Sequence, residues 1–395
     1  MSTGNRVAAI ALVVALVALS ACGSGGGHKT AIPTTTNGAT TTTSVTPSSS
    51  TTTPAGTSST SSPSGATTPA GGPVPAGFQA FSFTALSDSE WWLLGDVACS
   101  HRPCTSVVRT TDGGRTFVGL PAPLAPITNG ISDPTNPDGV DQIRFADPQD
   151  AFAFGPTLWS THDGVAHWHQ VAMAGPVTNL EAGGGYVFAV AGGNLLRSSA
   201  GSDTWTRLGQ SNLSPVLAVH GSDVVVISEA GTGTSPGPVL VSHDSGAHFA
   251  AAQKSPSVGL SCQFAEPVTS VIWAMCATGM EAGISRSTNG GVSFSMLNNP
   301  EQFVNSSTVA AASATVAVVM AQRSGGAVLW LTTDGGQTFQ QTGPTLAGAS
   351  WVFGGFTDPS VGVVIASFSG ANGGSTGTAL YRTVDSGKVW SRVTI

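Results

Sequence analysis

Histidines are the residues of this chain whose spacing first suggests chemistry. His162, His167 and His169 lie close together, and His243 and His248 repeat the offset between the first two. Two imidazoles on one face of a strand can bind zinc. Both groups, however, accompany the same local turn sequence, and this recurrence favours a shared structural substitution. We therefore expect no bound metal and no cofactor.

Carboxylates in the loops are the second set of candidates. A hydrolase of polysaccharides needs two carboxyl groups about 5–10 Å apart, one of them with a raised pKa. The loop residues that offer such groups are Asp133, Asp138, Asp141, Glu229 and Glu281. These loops lack the rows of aromatic residues that stack on sugars, so we interpret the carboxylates as solvated side chains.

A short turn motif recurs seven times and must position whatever chemistry the chain has. Each copy has Ser or Thr two residues before a central residue, Gly one or two residues after it, and Phe or Trp five residues after it. The central residues are Asp112, Asp163, Ala200, Asp244, Asn289, Asp334 and Asp385. The aromatic residues are Phe117, Trp168, Trp205, Phe249, Phe294, Phe339 and Trp390. The copies recur every 37 to 51 residues, a period that predicts a stacked or radial array.

The residue types of this motif suit a turn between two strands. Asp and Asn accept hydrogen bonds from nearby backbone N–H groups, Gly adopts positive φ without steric cost, and the aromatic side chain can be buried between neighbouring sheets. The motif resembles the Asp-box, or bacterial neuraminidase repeat. This resemblance implies a β-propeller in which each box joins the third and fourth strands of a blade, away from the ligand face. Ala200 lacks the carboxylate, so we expect blade three to have the least regular turn.

Two strand-like runs precede each copy of the motif, as at 81–86 and 91–97 in the first repeat. Together with the strands that flank the motif, each repeat makes a four-stranded unit of about 45 residues, the size of a propeller blade. We therefore predict an all-β fold, a seven-bladed β-propeller of four-stranded antiparallel blades over residues 77–395, preceded by a disordered tether. Each blade is expected to be contiguous in sequence, with no strand exchanged between the ends of the domain.

Sialidase activity, for which the repeat is named, has little support among these residues. The resemblance would demand three arginines around a substrate carboxylate and a Tyr paired with a Glu. Apart from Arg6 of the leader and the arginines in or beside the motif copies, the arginines are Arg102, Arg144 and Arg323, and the chain has two Tyr, one of them Tyr186. Convergence of these arginines with Tyr186 on one pocket would support such an enzyme, since guanidinium groups clamp carboxylates. We expect no catalytic residues.

The first 22 residues predict a lipoprotein signal. An apolar run follows Arg6 and is shorter than the about 20 residues of a membrane span. It ends in Leu-Ser-Ala-Cys22, which resembles a lipobox whose cysteine is acylated; an ordinary signal peptide is the alternative. Residues 23–76 are mostly Gly, Ser, Thr, Pro and Ala, which predicts a disordered tether. We expect a lipid anchor on the extracytoplasmic face of a bacterial cell membrane.

Cysteine count and charge limit the remaining possibilities. Apart from Cys22 there are four cysteines, and an even number in an exported chain predicts disulfides. Three connectivities are possible, and proximity favours the pairs Cys99–Cys104 and Cys262–Cys276. The formal net charge is −7, without a basic patch to neutralise phosphates, so nucleic acid is not expected as a partner.

The loops opposite the boxes form the expected binding face, because long loops on a rigid scaffold commonly bind ligands. The candidate residues there are Arg102, Arg144, Glu229, Glu281 and Arg323. The boxes and the blade period make the chain similar to photosystem II stability/assembly factor propellers and to sortilin-like propellers. We expect a monomeric, non-catalytic binding or assembly scaffold for an envelope protein. A glycan-directed hydrolase, sialidase-like in character, or a lectin of the envelope is the alternative.

Overall fold

The computed structural model describes residues 69–98, 104–128, 136–228, 237–256, 261–277, 282–298, 308–323, 325–369 and 375–395. These ranges form β-strands joined by turns and contain no helix. Accordingly, no helix within them is long and apolar enough to cross a membrane. Cys22, the leader and most of the tether lie outside the described residues, so the lipid anchor and the domain boundaries stay predictions.

The strands form seven four-stranded antiparallel sheets, each built from consecutive strands. Blade one consists of β1 (Gln79–Ala85), β2 (Trp91–Asp96), β3 (Thr105–Thr110) and β4 (Val118–Leu120). Blade two consists of β5 (Gln142–Phe145), β6 (Ala151–Phe154), β7 (Leu158–Thr161) and β8 (His169–Val171). Blade three consists of β9 (Val177–Gly183), β10 (Tyr186–Ala191), β11 (Asn194–Ser199) and β12 (Thr206–Ser211). Blade four consists of β13 (Leu213–His220), β14 (Asp223–Ser228), β15 (Val239–Ser242) and β16 (Ala250–Ala251). Blade five consists of β17 (Ser261–Val268), β18 (Val271–Ala277), β19 (Ala282–Ser287) and β20 (Ser295–Met296). Blade six consists of β21 (Thr308–Ala311), β22 (Ala317–Arg323), β23 (Gly326–Thr332) and β24 (Gln340–Ala347). Blade seven consists of β25 (Ala349–Phe356), β26 (Gly362–Ser369), β27 (Ser375–Thr383) and β28 (Ser391–Val393).

The seven sheets close into a ring around their first strands. Neighbouring first strands contact each other in order, from β1 with β5 to β21 with β25, and β25 returns to β1. Since β1 begins the ring and β28 ends blade seven, none of the described strands is exchanged between the two ends of the domain. The predicted fold class, an all-β seven-bladed propeller with contiguous blades, is confirmed.

The hydrophobic core lies between neighbouring blades. Each of seven clusters of buried side chains is shared by two adjacent blades, and one of them joins blade seven to blade one. The second strands contribute fully buried residues such as Leu93 and Phe152. The aromatic residue of each turn motif packs into the cluster shared with the preceding blade, as Phe294 and Trp390 do. This burial of aromatic surface accounts for the recurrence of Phe or Trp at this position.

The repeated turn joins the third and fourth strands of each blade. In blade one, Asp112 Oδ1 accepts hydrogen bonds from Thr110 Oγ1 at 2.8 Å and from the backbone N–H groups of Arg115 and Thr116. Thr116 Oγ1 donates to Oδ2 at 2.6 Å. The hydroxyl and N–H of Thr116, and then the Thr110 hydroxyl, hold the pKa of Asp112 well below its usual range. One carboxylate thus organises the whole turn.

Blade three has a different turn because Ala200 offers no carboxylate. Ser198 Oγ donates instead to the carbonyl of Ser202 at 2.6 Å. In the other six blades the residue after the central one donates its N–H to the turn between the first two strands, as Gly113 does to Ser89. In blade three Ala200 itself makes this bond, to Gly185. The contact is therefore shifted by one residue.

The antiparallel topology gives the ring two distinct ends. Turns between the first and second strands lie beside the repeated turns, as these N–H···O bonds show, and we call this end the box end. Loops between the second and third strands and the links from blade to blade lie at the other end, the loop end. The chain therefore enters each first strand from the loop end.

Candidate functional site

A central channel of about 800 Å³ runs between the first strands of all seven blades. Aromatic side chains that line it include Phe81, Phe264, Trp351 and Phe353. Uncharged polar side chains that line it include Gln142, Thr178, Asn179, Gln263 and Thr308. The wall therefore offers both apolar contact and hydrogen-bonding groups, which is the usual make-up of a ligand recess.

Arg144, on β5, is held in the channel wall by one carboxylate. Its Nε and Nη2 donate to Glu181 Oε1 on β9 at 3.0 and 2.9 Å. Nη1 donates to the carbonyl of Ile143, and Nη2 donates also to Gln142 Oε1. The guanidinium fork is thus matched to Glu181, and a substrate carboxylate would have to displace it.

Asp141 immediately precedes β5 and lines the loop end of the channel. Burial, opposed by the positive charge of Arg144, raises the pKa of its carboxyl to about 6. At neutral pH the charged groups among the described lining residues are therefore Arg144, Glu181 and Asp141. Their sum is one negative charge, which favours a neutral or basic ligand.

The described residues do not assemble the sialidase-type cluster. Arg323 is exposed at the end of β22. Tyr186 begins β10, where the Cζ of Arg197 lies 4.5 Å from its ring centroid. Neither residue lines the channel with Arg144. The other candidates for the binding face, Arg102, Glu229 and Glu281, lie outside the described residues.

One disulfide of the described residues lies beside the channel. Cys262 and Cys276 form a disulfide between the first two strands of blade five, and both side chains are buried. Cys262 also lines the channel. Cys99 lies outside the described residues, so its pairing with Cys104 stays a prediction.

Four of the histidines near the turns divide into two kinds, and His243 pairs separately with Asp223. His167 and His248 replace the Thr of the turn motif, and their Nδ1 atoms lie 2.7 and 2.6 Å from Oδ2 of Asp163 and Asp244. For these two, the expected structural substitution agrees with the geometry. His162 and His169 instead contact Asp203, which belongs to the turn of blade three.

The contact of Asp203 with the histidines was not predicted from the sequence, because Asp203 lies 41 residues from His162, in another blade. A sequence signal for it does exist. Asp203 is three residues after the central Ala200, and the other six copies have at that position Arg115, Ala166, Ala247, Val292, Gln337 and Lys388. An acidic residue occurs there in blade three alone.

Together the ring and its channel define a seven-bladed β-propeller. No family model matches the chain, and no curated protein matches it. Among solved structures, it is similar to YCF48 bound to a D1 peptide, with 18% identity, 79% of this chain and 95% of that chain covered, and a TM-score of 0.53. It is also similar to YCF48 from Cyanidioschyzon merolae (17% identity, 78% and 96% covered, TM-score 0.52). A PL25 ulvan lyase matches with 9% identity, 81% and 97% covered, and a TM-score of 0.52. At these identities the similarity shows the fold alone.

Proposed function

We propose that this chain is a non-catalytic binding propeller that holds an extended segment of a protein partner in its central channel. The observation that carries this proposal is the channel wall, which among the described lining residues combines aromatic surface with uncharged hydrogen-bonding side chains around one arginine that is paired with Glu181. The similar fold of YCF48, whose structure contains a bound D1 peptide, supports a peptide as the ligand class. The resemblance of the turn motif to the Asp-box is consistent with this type of scaffold.

The channel chemistry suggests what kind of segment would bind. The Thr308 hydroxyl donates to the amide oxygen of Gln263, which leaves the Gln263 amide N–H groups to pair with peptide C=O groups and the Thr308 oxygen to accept from a peptide N–H group. Phe81 and Trp351 offer apolar surface to side chains of the segment. The carboxyl group of Asp141 favours a segment that contains a basic residue.

We further propose that the propeller acts as a monomer at the extracytoplasmic face of a bacterial membrane, anchored by an acylated Cys22. The lipobox-like string and the Ser/Thr/Pro-rich composition of residues 23–76 support this location. In this proposal residues 23–76 act as a tether between the anchor and the propeller, which would let the channel reach partners in the envelope.

Crosslinking capture from intact cells tests the binding proposal, with the tagged full chain as bait. Phe81→Ala and Gln263→Ala alter the channel wall, whereas Val389→Thr changes a side chain that is 63% exposed in the turn of blade seven. We expect a specific envelope protein to be retained by wild type and by Val389→Thr and to be lost from both channel variants. Equal retention by all four baits would contradict binding in the channel.

A glycan-directed hydrolase or a lectin of the envelope is the second candidate, and Asp141 is the observation that favours the hydrolase. A carboxyl group with a pKa of about 6 suits a general acid, and Glu181 would be the second carboxylate. Purified protein would be screened against sialosides and envelope polysaccharides. Hydrolysis that is abolished in Asp141→Asn would establish the enzyme, whereas binding without hydrolysis would indicate a lectin.

A further inference from the structure

A cluster of two histidines and one aspartate joins blades two and three at the box end. Nε2 of His162 and Nε2 of His169 lie 3.3 and 2.7 Å from Asp203 Oδ2. The three possible ligand atoms lie within 4.8 Å of one another. His162 belongs to the turn of blade two and His169 begins β8, so the same short segment supplies both imidazoles.

Neighbouring groups orient these side chains. Asp150 Oδ1 lies 2.6 Å from His162 Nδ1, which turns Nε2 toward Asp203. Ser160 Oγ donates to Asp203 Oδ2 at 2.8 Å. In metal sites, a histidine ligand commonly donates its second ring N–H to a carboxylate, and this bond fixes the tautomer and the ring orientation. The Asp150–His162 pair provides that arrangement.

Asp203 carries a second, independent sign of a missing partner. Its Oδ1 is buried and has no hydrogen-bond partner among the described residues. A buried carboxylate oxygen without a donor is costly. A cation bound beside this carboxylate would offset that cost.

A small residue makes room for the cluster. Three residues before the central residue, four other blades have an arginine. The guanidinium groups of Arg197, Arg286 and Arg382 each donate to a carbonyl of the next blade, and that of Arg109 donates to the carbonyl of Pro69. Blade two has Ser160 at this position, and its side chain is fully buried. The space that a guanidinium fills elsewhere is therefore left for two imidazoles and a carboxylate.

We propose that His162, His169 and Asp203 bind a zinc ion that links blades two and three, with water as the fourth ligand. Two imidazoles and one carboxylate form the ligand set of open zinc sites. Bonds of about 2.0–2.2 Å place tetrahedral ligand atoms about 3.3–3.5 Å apart. The His162–Asp203 pair has this separation already, and rotation of His169, whose side chain is 56% exposed, opens the other. The same exposure gives the ion a path from solvent.

Metal titration of the full chain tests the site. After removal of metal with a chelator, the protein would be titrated with Zn²⁺ and, as a spectroscopic probe, with Co²⁺. We expect one equivalent of zinc at this site, a visible Co²⁺ spectrum typical of four-coordination, and a Tm higher by about 5 °C at a zinc concentration of about 100 Kd. The absence of stoichiometric binding would overturn the proposal.

Matched variants locate the ion. Asp203→Asn and His169→Gln each remove one ligand and should weaken zinc binding at least about 10-fold, as expected from effects of metal-site mutations. His243→Gln and His167→Thr should leave the affinity unchanged, because these residues lie in the same turn contexts without the other two ligands. An equal loss in His243→Gln and His169→Gln would place the zinc elsewhere and overturn the assignment. The Tm of each metal-free variant shows whether it has folded.

Asp150 is a positioning residue in this proposal and has a separate readout. Asp150→Asn should weaken zinc binding by about 10- to 100-fold, while one equivalent still binds at saturation and the Co²⁺ spectrum stays that of the wild type. A variant that folds with unchanged affinity would show that the carboxylate does not orient His162 for a metal.

Discussion

The interface between blades two and three and the interface between blades four and five each contain an Asp–His pair that is supplied by the earlier blade. Asp150 pairs with His162 at 2.6 Å, and Asp223 pairs with His243 at 3.0 Å. In both blades the histidine precedes the central Asp of the turn, and the aspartate begins or immediately precedes the second strand. The two interfaces differ in the residues that surround this pair.

At the interface between blades two and three, His169 and Asp203 complete the cluster. The hydrogen bond with Asp203, and next that with Asp150, raises the pKa of His162 to about 9, although its partial burial acts in the opposite direction. Burial opposes ionisation of Asp203, but hydrogen bonds with His162, Ser160 and His169 hold its pKa at about 2. Here a base is kept charged between two acids.

At the interface between blades four and five, Ala250 and Val292 occupy the positions of His169 and Asp203. The neighbour of Asp223 is Glu266, and burial, followed by the negative charge of Asp223, raises the pKa of Glu266 to about 8. Here an acid is kept neutral. The next blade, rather than the turn itself, therefore decides which protonation state a blade interface favours.

Truncating the turn aromatic should have the largest effect at either interface. Phe294 is 1% exposed in the cluster between blades four and five, so Phe294→Ala should lower the free energy of unfolding by about 3–5 kcal/mol. Trp205, between blades two and three, is only partly buried, and Trp205→Ala should cost less. Denaturant unfolding of the two variants gives the order, and a larger loss for Trp205→Ala would contradict it.

Replacing Glu266 should stabilise the protein at high pH. Its folded pKa lies above the unfolded value, so the wild-type free energy of unfolding falls as the pH rises from about 4.5 through about 8. Glu266→Gln removes this fall of the free energy of unfolding with pH. The amide of the introduced glutamine can also donate to Asp223 Oδ2, which has no partner among the described residues. We expect a gain on the order of 2 kcal/mol at pH 8.5 and none at pH 4.5, measured by denaturant unfolding. A gain of equal size at both pH values would show that ionisation is not the cause.

Replacing His162 should act with a smaller amplitude at the other interface. Its raised pKa contributes stability that is fully present below about pH 6.5 and is lost as the pH rises through about 9. Because the side chain is partly exposed, solvent screening reduces this contribution to about 1 kcal/mol. In the presence of a chelator, His162→Gln should therefore have a lower Tm than wild type at pH 6 and nearly the same Tm at pH 9.5. A deficit that is unchanged between the two pH values would exclude the charge effect.

Restoring the motif threonine should have the smallest effect. His167 and His248 are both exposed, and each is hydrogen-bonded to Oδ2 of the central Asp of its own turn. Thr116 makes the equivalent bond to Asp112 Oδ2 in blade one. Since Thr makes the same contact, His167→Thr and His248→Thr should change the free energy of unfolding by less than about 0.5 kcal/mol. A Tm change of several degrees in His167→Thr alone would mean that this histidine takes part in the cluster between blades two and three.

The blades were predictable because their information is local. Five of the seven turns are organised by a carboxylate that bonds donors no more than four residues away, as at Asp334 with Thr332 and Thr338. Such a pattern repeats in the sequence wherever it repeats in space. The prediction of contiguous blades followed from the same period, and strand bounds shifted only slightly: β1 begins at Gln79, whereas the sequence predicted a strand from residue 81.

The channel and the histidine cluster depended on contacts that no local pattern contains. Arg144 and Glu181 are 37 residues apart, and His162 and Asp203 are 41 residues apart. Arg144 was expected among the residues of a loop face, yet the position of β5 beside the axis directs it into the channel wall toward Glu181.

The number of blades, the place of each turn and the aromatic residue that each blade buries can be inferred from the sequence, because hydrogen bonds within one repeat form each turn and the aromatic position recurs in every repeat. Which charged groups come into contact depends instead on how the blades pack together. Packing of adjacent blades sets the distance between residues of different repeats, and at such distances electrostatic interactions change steeply with each ångström. For this reason Asp203 meets two histidines, whereas Val292, at the same place in the turn of blade five, has a side chain that is 42% exposed.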